Sequence, residues 1–180
     1  MSFLNGGQKK LKIFVVGLFL TIGFATLAKM LVGKLLYIND TDSAPKGIYM
    51  VSLNQKLHYG DYVIVSLPVD VPKLHVEKGF LLLKQVRGFP DDEYTVFNNA
   101  LEIRGEEYKI FHHEGLPELA VGERKVPEGE MLLLNDMELS FDSRYLGPIS
   151  KKLIVKKVDL VLPYEPFTCF IKKVMPNENS

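Results

Sequence analysis

The chain has a single cysteine, Cys169, four histidines and no excess charge of either sign: 22 basic residues face 22 acidic ones in 180. One cysteine excludes an internal disulfide in any compartment. The histidines are too scattered for zinc. His58 and His75 are isolated, His112 and His113 are adjacent and would point to opposite faces of a strand, and no Cys/His spacing fits tetrahedral coordination. Zero net charge without a Lys/Arg stripe argues against phosphate-backbone binding, because affinity for nucleic acid comes from concentrated positive charge releasing counterions. The sequence also lacks internal repeats, low-complexity tracts and a boundary between two folded domains. What remains is one folded domain with an additional hydrophobic segment.

That segment is at the front. Gln8-Lys9-Lys10-Leu11-Lys12 precedes an uncharged apolar run from Ile13 to Ala28, extended past Lys29 by Met30-Leu31-Val32-Gly33. The run meets the roughly 20 residues that a bilayer demands. Lys9, Lys10 and Lys12 favour a cytoplasmic N-terminus, while Lys29 and Lys34 can snorkel to the far interface, so the remainder of the chain is expected on the outer side. A retained anchor is the expected role. A cleaved secretory signal, with Thr26-Leu27-Ala28 as small-residue processing site, and a buried helix of a soluble domain are the competing readings.

Beyond the apolar run the pattern changes to short β-rich stretches punctuated by Gly, Pro, Asn and Asp. Strands are predicted over Gly47–Leu53, Asp61–Ser66, Phe80–Gly88, Tyr94–Asn98, Ala100–Ile103, Glu106–His112, Met131–Leu134 and Leu153–Leu162. Asn98-Asn99 is expected to supply the positive φ angles of a tight turn, and Arg104-Gly105 a second turn. Residues 114–129 read as a surface excursion. Three segments result: residues 1–36 as cytoplasmic N-terminus and anchor, 37–165 as a mainly antiparallel β domain, and 166–180 as a tail. Within the tail Phe167-Thr168-Cys169-Phe170-Ile171 is too short to span a membrane, which leaves a terminal strand or a partner contact.

Three elements carry chemistry. Asn39-Asp40-Thr41-Asp42-Ser43-Ala44-Pro45-Lys46-Gly47-Ile48-Tyr49 follows the apolar segment closely, and Pro45 and Gly47 place Ser43 in an extended or turning loop. Taken alone, Ser43 is one more loop serine making local hydrogen bonds. In Phe80-Leu81-Leu82-Leu83-Lys84-Gln85-Val86-Arg87-Gly88 a lysine interrupts an apolar β run, and strand alternation puts Lys84 on the inward face with Leu82 and Val86. An ammonium buried there would lose proton affinity until the neutral amine, able to deprotonate a serine, becomes accessible. The competing reading is an edge strand with the amine in water. In the third element, Ser140-Phe141-Asp142-Ser143-Arg144-Tyr145-Leu146-Gly147-Pro148, Asp142 and Arg144 can pair and stiffen a loop, and Ser140 can orient an amine. The same stretch also reads as a solvated turn with a surface ion pair.

Taken in order, these elements resemble the signal peptidase I family, and more closely its conjugative-transfer branch of TraF-type peptidases. Ser43-Ala44-Pro45-Lys46-Gly47-Ile48-Tyr49 is similar to that branch's Ser-x-Pro-x-Gly-x-Tyr motif, and Gly60-Asp61-Tyr62-Val63-Ile64-Val65 to the Gly-Asp-x-Val strand after it. Lys84-Gln85-Val86-Arg87-Gly88-Phe89-Pro90 resembles the lysine motif, and Ser140 to Pro148 the Ser-x-Asp-Ser-Arg-Tyr-x-Gly-Pro motif. Asp91-Asp92 stands where the family usually has Gly-Asp. Leu134-Asn135-Asp136-Met137 stands where housekeeping members have Gly-Asp-Asn-Arg, which favours the specialised branch.

The resemblance implies a signal-peptidase-like antiparallel β domain behind one membrane helix. It implies a serine endopeptidase with Ser43 as nucleophile, Lys84 as general base, Ser140 orienting the lysine and Asp142 with Arg144 bracing that loop. The oxyanion would be held by the Ser43 N–H and the Thr41 hydroxyl. No cofactor or metal is implied. The expected partners are an exported precursor, pilin-like or belonging to a conjugation or secretion complex, cut after Ala-like residues, together with membrane lipid and no nucleic acid. The expected place is the bacterial inner membrane, with the β domain periplasmic or extracellular. A non-enzymatic, membrane-tethered scaffold for pilus or secretion-complex assembly is the alternative. A soluble, self-cleaving repressor-like peptidase is opposed by the apolar segment and by the lack of a DNA-binding region.

Overall fold

The computed structural model describes residues 3–165, so the tail from Pro166 onward lies outside the described residues. The chain divides after Tyr37 into two units. The first is helix α1, Phe3–Leu35. Its stretch Gly7–Leu35 has a mean hydropathy of 2.1 with none of that apolar surface buried, which fits a single membrane-crossing helix. The Thr21 and Thr26 hydroxyls donate to carbonyls three and four residues earlier, so these side chains carry no unsatisfied donor into an apolar surrounding.

After β1, Leu36–Asn39, which spans the division, the second unit is built on antiparallel strands: β2 Gly47–Val51, β3 Tyr62–Ser66, β4 Leu81–Gly88, β5 Glu93–Val96, β6 Ala100–Ile103, β7 Glu106–Lys109, β8 Gly122–Lys125, β9 Glu130–Leu134, β10 Ile149–Ser150 and β11 Ile154–Pro163. Seven form one sheet in the order β1-β2-β11-β3-β4-β9-β10, and four form another in the order β7-β6-β5-β8. A short α-helix, α2, spans Ser143–Leu146.

Strand β9 explains how the two sheets share a core. Successive side chains of a strand face opposite ways. Met131 and Leu133 accordingly join Val63, Val65, Val86 and Ile149, whereas Leu132 and Leu134 join Tyr94, Val96, Leu101, Ile103 and Tyr108. With apolar partners on both faces, the strand must be an unbroken apolar run, and Met131–Leu134 is one.

All eight predicted strands are present, Ala100–Ile103 with the bounds predicted and the other seven with shifted ends. Three expectations need correction. Residues 114–129 are not only an excursion, since β8 lies inside them and pairs with β5, Glu93 opposite Lys125. Asn98 and Asn99 do not adopt positive φ; the β5–β6 hairpin closes instead with Phe97 N–H donating to Ala100 C=O. The two-residue turn with both φ values positive, 54° and 75°, is Arg104-Gly105, between the paired Ile103 and Glu106. His112 and His113 lie beyond the end of β7 in a loop, so the strand-face argument does not apply to them.

Candidate active site

The loop from Asn39 to Gly47 is shaped by two side chains: Asn39, to which the sequence reading gives no role, and Tyr49, the tyrosine of the Ser-x-Pro-x-Gly-x-Tyr motif. Asn39, buried at the end of β1, donates its carboxamide N–H groups to the carbonyls of Thr41, Ala44 and Pro45 at 3.1, 3.0 and 3.3 Å. Its Oδ1 accepts from the Thr41 hydroxyl at 2.8 Å. Tyr49, fully buried in β2, donates its hydroxyl to the Pro45 carbonyl at 2.7 Å and packs edge-on against Tyr62. Gly47 allows β2 to lie close against β11, because a Cβ there would stand 2.4 Å from the Leu162 carbonyl oxygen. Next to this contact, Tyr164 N–H reaches the Lys46 carbonyl.

Ser43 is half-buried in the resulting turn, its Oγ 2.8 Å from Thr41 Oγ1. The single Thr41 hydroxyl proton is committed to Asn39, so Ser43 is the donor in this contact. Ser43 borders a small, mostly apolar cleft of about 110 Å³ with Ala44, Pro45, Tyr62, Asn135, Asp136 and Met137. A larger hollow of about 220 Å³ lies between the 111–121 loop and Tyr145. Two histidines line it, His112 and His113, and the ring nitrogens of His112 are occupied by the Asn98 carbonyl and Glu118.

Lys84 sits in the middle of the large sheet. β4 is flanked by β3 and β9, and residues 84, 86 and 88 form its buried face, so the edge-strand reading does not hold. The residue is 2% exposed, and its amine donates to Ser140 Oγ at 2.8 Å. Burial is the main influence on it and pushes its pKa down from 10.5 to about 8; Asp142 opposes the shift and Arg144 reinforces it. No hydrogen bond joins Lys84 to Ser43 among the described contacts. The two are linked through shared neighbours. Tyr62, on the cleft wall, is paired with Gln85, and Val63 with Lys84 itself.

The third element is folded around a buried ion pair. Asp142 caps α2 by accepting from Arg144 N–H. The Arg144 guanidinium returns to the same carboxylate with Nε at 2.8 Å and Nη2 at 3.0 Å, both residues at 1% exposure or less. Its other N–H groups reach the carbonyls of Lys109, Glu138 and Asn135. With every donor used, the guanidinium is satisfied despite its burial, and the loop from Asn135 to Ser140 is pinned at several points. The surface-ion-pair reading of this stretch is therefore replaced. Ser143 Oγ adds a bond from Leu133 N–H, attaching α2 to β9.

Sequence reasoning thus named Thr41, Ser43, Lys84, Ser140, Asp142 and Arg144, and missed Asn39 and Asn135. Among the named residues the structure joins Thr41 to Ser43, Lys84 to Ser140, and Asp142 to Arg144.

Comparison with known proteins gives this constellation its setting. The plasmid transfer protein TraF of Escherichia coli is 26% identical over 150 residues, covering 71% of this chain and 82% of that protein. A signal peptidase I from Enterococcus faecalis aligns with a TM-score of 0.40 at 20% identity, over 60% of this chain and 100% of the other. The family described as signal peptidase, peptidase S26, matches residues 11–163, nearly the whole described chain and all three chemistry-bearing elements, and the protein belongs to that family.

Proposed function

We propose that the protein is a membrane-anchored signal peptidase that cuts leader peptides from exported precursors with a Ser43/Lys84 dyad. The observation that carries this reading is Lys84, a lysine buried at 2% exposure, held by Ser140 and depressed to a pKa of about 8. A structural lysine gains nothing from such a place. A general base does, because near its pKa it is both available and strong enough to take a proton.

In the resting arrangement the Ser43 proton points to Thr41. For attack, Ser43 turns about its Cα–Cβ bond so that the proton passes to the neutral Lys84 amine as Oγ adds to the scissile carbonyl carbon. The carbonyl oxygen becomes the oxyanion, held by the Ser43 N–H and by the Thr41 hydroxyl once it turns from Asn39 Oδ1. Lysinium then protonates the leaving amine, which departs as the C–N bond breaks and leaves an acyl ester on Ser43. A water deprotonated by the same amine hydrolyses that ester. Ser140 keeps Nζ aimed through both halves, and the Asp142–Arg144 pair keeps Ser140 in place.

The apolar cleft beside Ser43 admits only a small side chain, which supports Ala-like residues before the cut. The similarity to a plasmid transfer protein supports a precursor that is pilin-like or otherwise belongs to conjugative transfer. α1 serves as a retained anchor in the inner membrane, its lysine-rich start cytoplasmic and residues 37–165 on the outer side.

Co-expression of a panel of precursors, from pilin-like subunits to ordinary preproteins, with the wild type, Ser43→Ala and Lys84→Ala tests the reading. Loss of processing of one precursor in both variants, each folded and membrane-inserted, is the expected result. Processing at the wild-type level by either variant would sink the dyad and favour the scaffold.

A further inference from the structure

We infer that Asn135 is the positioning residue that fixes the Lys84 amine, by continuing the β-ladder on both sides of that lysine with its side chain. The inference rests on the Ser43/Lys84 reading and adds to it a residue that neither the motifs nor the catalytic steps include.

Strand β9 ends at Leu134, opposite Gln85. There the backbone turns away into the Asp136–Ser140 loop. The carboxamide of the next residue takes over: Asn135 Oδ1 accepts from Gln85 N–H at 3.1 Å, and Nδ2 donates to the Leu83 carbonyl at 3.0 Å. These are the two peptide groups that flank Lys84. A carboxamide offers one acceptor and one donor in a plane, as a strand's own peptide groups do, so it can hold both ends of this short stretch at once. The Asn135 main chain is fixed in turn by the ion pair. Its N–H donates to Asp142 Oδ2 at 3.1 Å, and its carbonyl accepts from Arg144 Nη2 at 2.6 Å.

Asn135 is 2% exposed and also forms part of the wall of the Ser43 cleft. One residue therefore connects the nucleophile's cleft, the backbone that carries the base, and the ion pair that braces the base's hydrogen-bond partner. Two routes then hold the amine: Ser140 from its tip, Asn135 from its root. Without Asn135 the Lys84 backbone would be held at this point of the sheet from the β3 side only, where it is paired with Val63. A displacement on the order of 1 Å in a reacting group can cost about 100-fold in rate.

The side-chain chemistry is specific. Ala removes both bonds. Asp keeps the acceptor for Gln85 N–H but presents an anion to the Leu83 carbonyl and adds negative charge beside the lysine. Gln is one methylene too long for both bonds together. The charged groups facing Lys84 are Asp142 and Arg144 from the α2 side. At the cleft rim Asp136 is paired with Arg87, and β3 contributes Tyr62 and Val63. The neutrality of Asn135 therefore matters for the proton affinity of the base.

The test measures kcat, KM and their pH dependence for the full chain in detergent, using a quenched fluorescent peptide with alanine one and three residues before the scissile bond. Wild type, Asn135→Ala, Asn135→Asp, Asn135→Gln and Lys84→Ala are compared, with thermal unfolding to show that each is folded. Asn135→Ala should lose about 10- to 100-fold in kcat with KM within about 3-fold. Asn135→Asp, which keeps the size and one bond, should move the alkaline-rising limb upward by about one pH unit or more. Asn135→Gln should not rescue.

A role confined to stability would lower the unfolding temperature without moving the limb. If Lys84→Ala is dead while folded Asn135→Ala and Asn135→Asp keep the wild-type kcat and midpoint, this inference falls and the dyad survives. If Lys84→Ala cleaves as wild type does, the dyad itself is wrong and the inference falls with it.

Discussion

Replacing Lys84 by Met should make the protein more stable at neutral pH and abolish its activity. The magnitude follows from the buried amine. Below pH 8 the lysine is protonated in both folded and unfolded chains, and the folded state carries the full cost of holding an ammonium where proton affinity has fallen from 10.5 to about 8. At about 1.4 kcal/mol for each tenfold change in affinity, that cost is about 3 kcal/mol. Met keeps most of the length and removes the charge, but it leaves the Ser140 hydroxyl, 1% exposed, without its partner, which costs about 1–2 kcal/mol. The net gain expected for Lys84→Met is therefore about 1–2 kcal/mol, and for Lys84→Met with Ser140→Ala about 3 kcal/mol.

The pH dependence gives the sharper test. Between pH 8 and 10.5 the unfolded chain still binds a proton that the folded chain has released, so wild-type stability rises with pH; the advantage of Lys84→Met is lost and reversed before pH 10.5, because Ser140 stays unpartnered, while that of the double variant vanishes near 10.5. Chemical denaturation in detergent at a series of pH values, followed by far-UV circular dichroism because the chain has no Trp, measures the difference. A Lys84→Met variant that is destabilised equally at every pH would refute the premise that the amine is held at a cost.

Other perturbations separate the parts of the site. With the neutral amine as the proposed base, cleavage by the wild type should rise with pH and reach half its plateau near 8; a rate that is flat from acid to mildly alkaline pH would exclude Lys84 from that role. Asp142→Ala leaves the Arg144 guanidinium buried without its carboxylate and should cost about 3–5 kcal/mol in denaturant titration. Any cleavage surviving in that variant should have its pH midpoint moved downward, since Asp142 normally raises the proton affinity of Lys84. Thr41→Val removes the hydroxyl beside Ser43 and should lower kcat by about 10²- to 10³-fold with little change in KM, whereas Thr41→Ser should stay close to wild type. Gly47→Ala forces a Cβ against the Leu162 carbonyl and the Pro163 Cα, so it should lower stability by about 1–3 kcal/mol, read as a drop in unfolding temperature.

Legibility in the sequence followed the physics of each element. Lys84 stood out because a charge inside an apolar alternation is expensive unless something uses it, and the central position of β4 makes that cost real. Strand β9 stood out as an unbroken apolar run, although only the structure shows that its two faces serve two sheets. Strand β8, Gly122-Glu123-Arg124-Lys125, could not be read, because its residues carry no apolar alternation. It exists through pairing with β5 across the Glu93–Lys125 contact. Asn98-Asn99 and Arg104-Gly105 were both readable as turns, but which one takes positive φ is set by register, and register depends on which strands meet.

The two asparagines show where single-sequence reading stops at the site itself. Asn39 and Asn135 look like the turn residues that punctuate any β protein, and both do stand at strand ends. Their function arises because each strand end leaves backbone groups without ladder partners at the place where chemistry needs a rigid support. Asn39 satisfies three carbonyls of the loop that holds Ser43, and Asn135 satisfies the peptide groups on both sides of Lys84. A side-chain amide can do this where a strand cannot continue, because the chain must turn away to open the cleft. The loop that holds Ser43 and the strand that holds Lys84 are therefore each supported by a side-chain carboxamide at a strand end. Substitutions at these two positions should damage rate more than they damage fold.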